Sequence, residues 1–318
     1  MAIYKKQQTD VQPSRLQPVN KRIHTTGSRK TYSKMKSIIG FLLTLVLITL
    51  VESASFSYKE QDQWPGICVR GNTCRQSPIN IDTRNVKVRK LAPLRFNSVF
   101  FRSIEGEFEN TCQNVEFTPD KSVNAIVQTP VGKYKLLQFH FHWGRGNGEG
   151  TEHLVNGNAE EFEIHFVSER IGGEDPTAGD ALAVIAVRGE VSRRPIRGVF
   201  KTLDASKITE VDSFIPINKI VMADLLPKNL DYYFYEGSLT TPDCDEIVQW
   251  FVLKQTIYVP AAYLAQLRKI EMDEAGNPLT FNFRAPQDLN DRIVVTPKRV
   301  KLMWQTKPPV FDCLDTGN

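Results

Sequence analysis

The segment Gln138-Phe139-His140-Phe141-His142-Trp143 alternates polar and aromatic side chains over six residues without a break. A period of two fits an extended strand, whose successive side chains point to opposite faces; a helix would scatter the same residues around its circumference. Gln138, His140 and His142 therefore share one face, and Phe139, Phe141 and Trp143 the other. Glu161-Phe162-Glu163-Ile164-His165-Phe166 repeats the pattern. Set beside the first segment as a neighbouring antiparallel strand, it brings His165 next to His140 and His142.

Histidine is scarce: the chain has five, and His140, His142, His153 and His165 fall within 26 consecutive residues. A lone strand histidine is ordinarily a hydrogen-bonded core or surface group. Two at i and i+2, with a third on a neighbouring strand, can reach one metal ion. Three neutral imidazoles with an open fourth position are the ligand set of a catalytic zinc site, where the metal lowers the pKa of its water to ~7. Gln138 precedes His140, and Glu163 precedes His165, by two positions on the same face. Each is placed to fix the tautomer of its histidine, as ligating imidazoles require.

Other segments rich in aromatic and β-branched residues also read as strands: Asn114 to Thr118, Lys135 to Trp143, Phe162 to Ser168, Leu182 to Arg188, Tyr232 to Tyr235 and Ile247 to Leu253. Gly- and Pro-bearing turns separate them. Ala261 to Ile270 reads as a helix with Leu264, Leu267 and Ile270 along one face. The fold class is mainly β with a few short helices. No repeat or long linker divides the chain after residue 55, so a single domain follows.

The net charge of +4 does not belong to that domain. Residues 1–54 carry nine Lys/Arg against two acids, which leaves the rest at −3. Nucleic-acid binding loses its support once this leader is set aside. Residues 1–36 form a basic polar extension. Residues 37–55 hold the apolar core Ile38 to Val51 and a small-residue cleavage region after Ser53 or Ser55, the pattern of a signal peptide. Left uncleaved, the segment 38–51 would be a membrane anchor. Met35-Lys36, just before the apolar core, offers a second candidate start. All five cysteines, Cys68, Cys74, Cys112, Cys244 and Cys313, follow the leader, where an oxidising compartment permits one or two disulfides; the odd count leaves at least one thiol free or paired with another chain.

Five motifs resemble the α-class carbonic anhydrases. They are Gln76-Ser77-Pro78-Ile79-Asn80-Ile81, Gln138 to Gly144, Glu163 to Val167, Gly237-Ser238-Leu239-Thr240-Thr241-Pro242, and Asn282-Phe283-Arg284 with Pro286-Gln287. They run in the family's order over roughly Tyr58 to Lys307. The resemblance implies a large twisted, mostly antiparallel sheet in a domain of residues 56–308, followed by a tail of residues 309–318. It implies reversible hydration of carbon dioxide to bicarbonate and a proton by zinc-bound hydroxide, with ester hydrolysis as a side reaction of the same site. His140, His142 and His165 would be the Zn2+ ligands. Gln138, Glu163 and the Asn282 carbonyl would support them, and His153 would be buried and structural. Thr240 would donate its hydroxyl hydrogen to Glu152 and accept from the zinc-bound oxygen. Thr241 would touch bicarbonate, while Val167, Val184, Leu239, Val248 and Trp250 would wall the carbon dioxide site.

The same resemblance places Thr111 where the fastest members carry a proton-shuttling histidine. A threonine hydroxyl does not titrate near neutrality, so proton release is expected to lean on external buffer, with Glu109, Tyr58 or water chains compensating in part. Secreted members often join the cysteine after Thr-Thr-Pro, here Cys244, to one before Gln-Ser-Pro. Cys68 and Cys74 both qualify, and the extra residues between Pro65 and Gln76 favour Cys68. The expected protein is a secreted or extracellular enzyme whose partner is its small-molecule substrate, bound to a membrane only if the segment 38–51 is retained. A catalytically silent extracellular binding or matrix module on the same fold is the competing reading, opposed by the presence of all three ligands, Glu152 and Thr240. The sequence does not set the oligomeric state.

Overall fold

The alternation of Gln138 to Trp143 is built into the central strand of a thirteen-stranded sheet, seen in a computed structural model that describes residues 56–65, 74–146 and 148–298. The strands that carry the argument are β1 (Ile104–Asn110), β2 (Val115–Pro119), β3 (Gly132–Trp143), β4 (Phe162–Arg170), β5 (Leu182–Ser192), β6 (Phe214–Ile220), β7 (Tyr232–Gly237) and β8 (Val248–Leu253). Their order across the sheet is β6-β1-β2-β3-β4-β5-β8-β7, continued by Val295–Pro297 and then Lys87–Arg89. Pairing is antiparallel except where β5 meets β8, where β5 meets Ile257–Pro260, and where Val295–Pro297 meets Lys87–Arg89. The sheet is thus mixed, though mostly antiparallel as expected. A second, two-stranded sheet pairs Asn80–Ile81 with Leu154–Val155.

Backbone contacts divide the chain into two compact units, Met1–Glu60 and Gln61–Asn318. In the first, the described residues form a turn closed by the Glu60 N–H on the Ser57 carbonyl at 3.2 Å, with the Phe56 and Tyr58 rings edge to face. The leader 1–55, the tail 309–318, Cys68 and Cys313 lie outside the described residues, and with them the apolar segment 38–51. No helix among the described residues is long and apolar enough to cross a membrane.

One face of the sheet is an aromatic core. Phe139, Phe141 and Trp143 of β3 stand beside Phe166, Ile164 and Phe162 of β4 in register, all with no solvent exposure. Phe117 of β2 stacks on Phe139 at 4.9 Å between centroids. The short helices Val199–Thr202 and Ala261–Leu267 supply Phe200 and Tyr263 to this face. Burial of each such ring is worth about 1.5–3 kcal/mol, which fixes the pleat and so forces the polar members of both strands to the opposite face.

A β-bulge sets which residues those are. The β3–β4 register slips between Leu136 and Gln138, so Leu137 is the extra residue. Upstream of it the side chains on the apolar core face are even-numbered, Tyr134 and Leu136; downstream they are odd-numbered, Phe139, Phe141 and Trp143, while the even-numbered Gln138 and His142 are buried on the polar face. An inserted residue exchanges the faces of everything beyond it. Simple alternation from Lys135 onward misses this step.

Strands extend beyond their sequence-based limits, with β3 starting at Gly132 and β5 running to Ser192. The two outer strands β1 and β6 escape composition. Gly106 and three glutamates depress strand propensity in β1, and Pro216 does so in β6, where it is tolerated because β6 is an edge. The helix expected to reach Ile270 ends at Leu267. Lys269 and Ile270 donate to carbonyls three residues back, Gln266 and Leu267, and this tightens the last turn out of α geometry.

Candidate active site

The polar face of β3 and β4 brings the three histidines together. His140 is the register partner of His165, and His142 of Glu163. Each imidazole has one nitrogen engaged. His140 Nδ1 is 2.9 Å from Gln138 Oε1, His142 Nδ1 is 2.7 Å from the Asn282 carbonyl oxygen, and His165 Nε2 is 2.7 Å from Glu163 Oε1. These partners are acceptors, so each engaged nitrogen carries the hydrogen and the other is bare. The bare atoms are Nε2 of His140, Nε2 of His142 and Nδ1 of His165. A ligand nitrogen from each ring lies within 4.8 Å of the others.

His142 Nε2 and His165 Nδ1 stand 3.0 Å apart, two lone pairs facing each other. Bare acceptors at that distance repel unless a cation lies between them. Tetrahedral zinc with ~2.0–2.1 Å bonds sets ligand nitrogens ~3.3 Å apart, so the donor set fits that ion. Protonation is disfavoured here. Burial, then the neighbouring His142 and His165, holds His140 well below the ordinary imidazole range, and burial followed by His142 lowers His165.

Glu163 is wholly buried and does more than hold His165. Its Oε1 also accepts from His153 Nδ1 at 2.7 Å, and its Oε2 from the His153 backbone N–H at 3.0 Å. Burial pushes this carboxyl up, but the charge and hydrogen bonds of His153 and the bond from His165 outweigh it and hold it well below the carboxylate range. His153 Nε2 then meets the Tyr235 hydroxyl at 2.7 Å, which lies 2.9 Å from Ser77 Oγ. Ser77 Oγ accepts from the Ser238 N–H at 3.1 Å, so a buried polar chain leads from a candidate ligand to the loop that bears Leu239, Thr240 and Thr241. Gly237 is required at the start of this loop because a Cβ there would collide with Ser77 Oγ.

Glu152, fully buried, accepts from the Arg284 N–H through Oε1 at 2.8 Å. Its Oε2 is buried without a hydrogen-bond partner, so the Thr240 hydroxyl does not reach it in this structure. Oε2 also lies 3.9 Å from His165 Nδ1. The expected apolar wall is one cluster: Val167, Val184, Val248 and Trp250 pack together with Leu239 against them. The Trp250 ring sits 4.8 Å from that of His165.

A family model described as eukaryotic-type carbonic anhydrase matches residues 59–298. The chain belongs to the carbonic anhydrase family. It is 32% identical over 231 residues to putative carbonic anhydrase 3 of Caenorhabditis elegans, covering 69% of this chain and 89% of that protein. The identity is also 32% to carbonic anhydrase 1 of Mus musculus, covering 76% of this chain and 98% of the mouse protein. With carbonic anhydrase 4 of Mus musculus it is again 32%, over 62% of this chain and 65% of that one. Membership supports carbon dioxide hydration as the general activity.

Within this family member the structure gives roles to groups that sequence reasoning left unassigned. Arg284 donates from Nη1 to Gln76 Oε1 at 3.0 Å and to the Ser77 carbonyl at 2.7 Å, tying two distant motifs behind Glu152. Burial brings its pKa down to about 10, so it stays cationic. Asn282 uses its side chain as well as its carbonyl, accepting from the Trp143 N–H at 2.8 Å and donating to the Phe141 carbonyl at 2.8 Å. Each sits in a recognised motif, which was the only signal; Tyr235 had none beyond strand propensity. Thr111 Oγ1 is engaged by Asn114, 2.9 Å from Oδ1 and 3.1 Å from the carbonyl oxygen. Cys74 and Cys112 are free thiols, so Cys74 is not the partner of Cys244, which is fully buried.

Proposed function

We propose that this carbonic anhydrase hydrates carbon dioxide reversibly to bicarbonate and a proton with a zinc ion held by His140, His142 and His165. The observation that carries the reading is the convergence of three bare imidazole nitrogens, each ring pinned through its other nitrogen, beside an apolar wall. Zinc, when bound, supplies a Lewis acid that makes a water nucleophilic near pH 7.

The chain's own residues do the rest. Gln138, the Asn282 carbonyl and Glu163 keep the three ring hydrogens away from the ligand side. Val167, Val184, Leu239, Val248 and Trp250 present a dry surface to a substrate that has no charge and hydrogen-bonds weakly. Glu152 Oε2 is a buried carboxylate oxygen in want of a donor, and the Thr240 hydroxyl is the donor assigned to it in the working enzyme. With its hydrogen so committed, Thr240 can only accept from the attacking oxygen, and this turns a lone pair toward the substrate carbon. The Thr240 N–H and Thr241 steady the product oxygens. With Thr111 at the shuttle position, protons leave through external buffer.

Export through the signal segment 37–55 completes the reading, with Cys244 joined to Cys68. The free state of Cys74 and Cys112 supports that pairing. The test is a stopped-flow hydration assay of the full chain, with metal analysis, with and without chelator, over a buffer series. Stoichiometric zinc, activity abolished by chelator and restored by zinc, and rates that climb with buffer are expected. Protein that binds no zinc and hydrates nothing would overturn the reading in favour of a silent binding module.

A further inference from the structure

Residues 56–298 hold 28 Lys/Arg against 32 Asp/Glu, a net −4, yet the loop after β5 is strongly basic. Arg193, Arg194, Arg197 and Lys201 place four cations in nine residues with no acid among them. All four are exposed, and none enters an ion pair among the described residues. The nearest acids in sequence are occupied. Glu190 accepts from the Thr256 hydroxyl, and Asp204 accepts from the Ser206 N–H and hydroxyl. A charge run is usually a solvated face, but here the acid that reaches the loop from a neighbouring strand, Glu161, is engaged by the Val191 N–H at 3.3 Å ahead of the cations, and the run itself holds one sign.

The loop is also held in shape. At one end Ser192 pairs with Pro260, and Ser192 Oγ accepts from the Arg194 N–H at 3.2 Å. At the other, Val199 and Phe200 are buried, and the Lys201 N–H donates to the Gly198 carbonyl at 3.0 Å. Pro195 restricts the middle. Cations on a preshaped loop bind with less ordering cost than the same charges on a flexible tail.

We propose that Arg193–Lys201 is a docking surface for a sulfated polysaccharide of the heparin type. Three of the four cations are guanidinium groups, whose planar forks match sulfate and carboxylate oxygens in pairs. The loop exposes no aromatic ring on which a nucleobase could stack, which argues against nucleic acid. Of its apolar side chains only Pro195 is exposed, Ile196 being half-buried and Val199 and Phe200 buried, so no large apolar group protrudes to enter a bilayer. A linear polymer carrying repeated anionic groups, read by charge alone, is the ligand that remains. The site is separate from the zinc centre and does not depend on the proposed reaction.

The test uses immobilised heparin and the full chain at about 0.15 M salt, where exposed charges farther apart than ~8 Å are screened. The Arg193→Ser/Arg194→Ser/Arg197→Ser variant is compared with Lys87→Ser/Arg89→Ser/Lys90→Ser, which removes as many charges from the exposed edge strand Lys87–Arg89 and the residue after it. The leader, if retained, is common to both. Expected are a roughly tenfold or greater loss of heparin affinity in the loop variant, a change under about twofold in the edge variant, and hydration rates unaltered in both. Equal losses in the two variants, no retention of the parent chain, or tighter binding to phosphatidylserine vesicles or single-stranded RNA than to heparin would overturn the assignment.

Discussion

A single oxygen, Oε1 of Glu163, accepts ring hydrogens from both His165 and His153 at 2.7 Å. A glutamine there could present one oxygen and one amide, so whichever way it turned, one strong acceptor contact would be weakened or lost. Glu163→Gln is therefore expected to lower zinc affinity ~10–100-fold, read by competition with a chelator while the fold persists in circular dichroism; unaltered affinity would mean that the tautomer of His165 is fixed some other way. Thr111 carries the opposite kind of prediction, a gain. Its hydroxyl is tied to Asn114, and a hydroxyl cannot exchange protons near neutrality. Thr111→His is expected to raise turnover at low buffer by roughly tenfold or more, within the range of positioned proton-transfer groups, and to flatten the buffer dependence. A variant as buffer-dependent as its parent would show that proton transfer is not the slow step. Legibility differed sharply among such residues: His140, His142, His165, Gln138 and Glu163 announced themselves by shared parity on two strands. Ser77, Tyr235 and Arg284 could not, because what places them is a partner 82 to 208 residues away in sequence.

The Leu137 bulge is the element-scale device on which the histidines depend. Without it, the parity that buries Tyr134 and Leu136 would put His140 and His142 on the aromatic side and Phe139 and Phe141 on the polar side. Deleting Leu137 forces a choice between expelling the upstream core residues and rotating the ligands away. Either outcome is expected to destabilise the protein by about 2–5 kcal/mol, the scale of a large core truncation, and to abolish zinc binding; a denaturant midpoint and zinc stoichiometry equal to the parent's would contradict this role. The bulge was illegible in the sequence because Leu136-Leu137 offers two apolar residues in a row, and alternation alone does not say which one is extra. Strands with strong composition were readable. Those carrying glycine, proline or glutamates were found only by their pairing, as β1 and β6 show. The parallel joining of β5 to β8 is likewise a property of the path between strands, and side-chain pattern does not encode it.

At the scale of the whole molecule, charge is segregated rather than averaged. The basic leader masks a domain of net −4, and within that domain the loop after β5 stands apart from acid-rich β1, where Glu105, Glu107 and Glu109 follow one another on alternate positions. Overall pI therefore misdescribes every part of the chain. The site is also spread along the sequence. His142 leans on Asn282, Glu152 on Arg284, and Arg284 on Gln76 across 140, 132 and 208 positions. During synthesis at ~5–20 residues per second, the growing chain exposes its histidines for roughly 7–28 s before Asn282 is made. Throughout that interval the imidazole of His142 has no fixed tautomer, and Glu152 has neither neighbour nor enclosure. Placement of His142 and Glu152 thus waits on translation of residue 284, and truncation before Asn282 would take the supports of both at once while leaving those of His140 and His165.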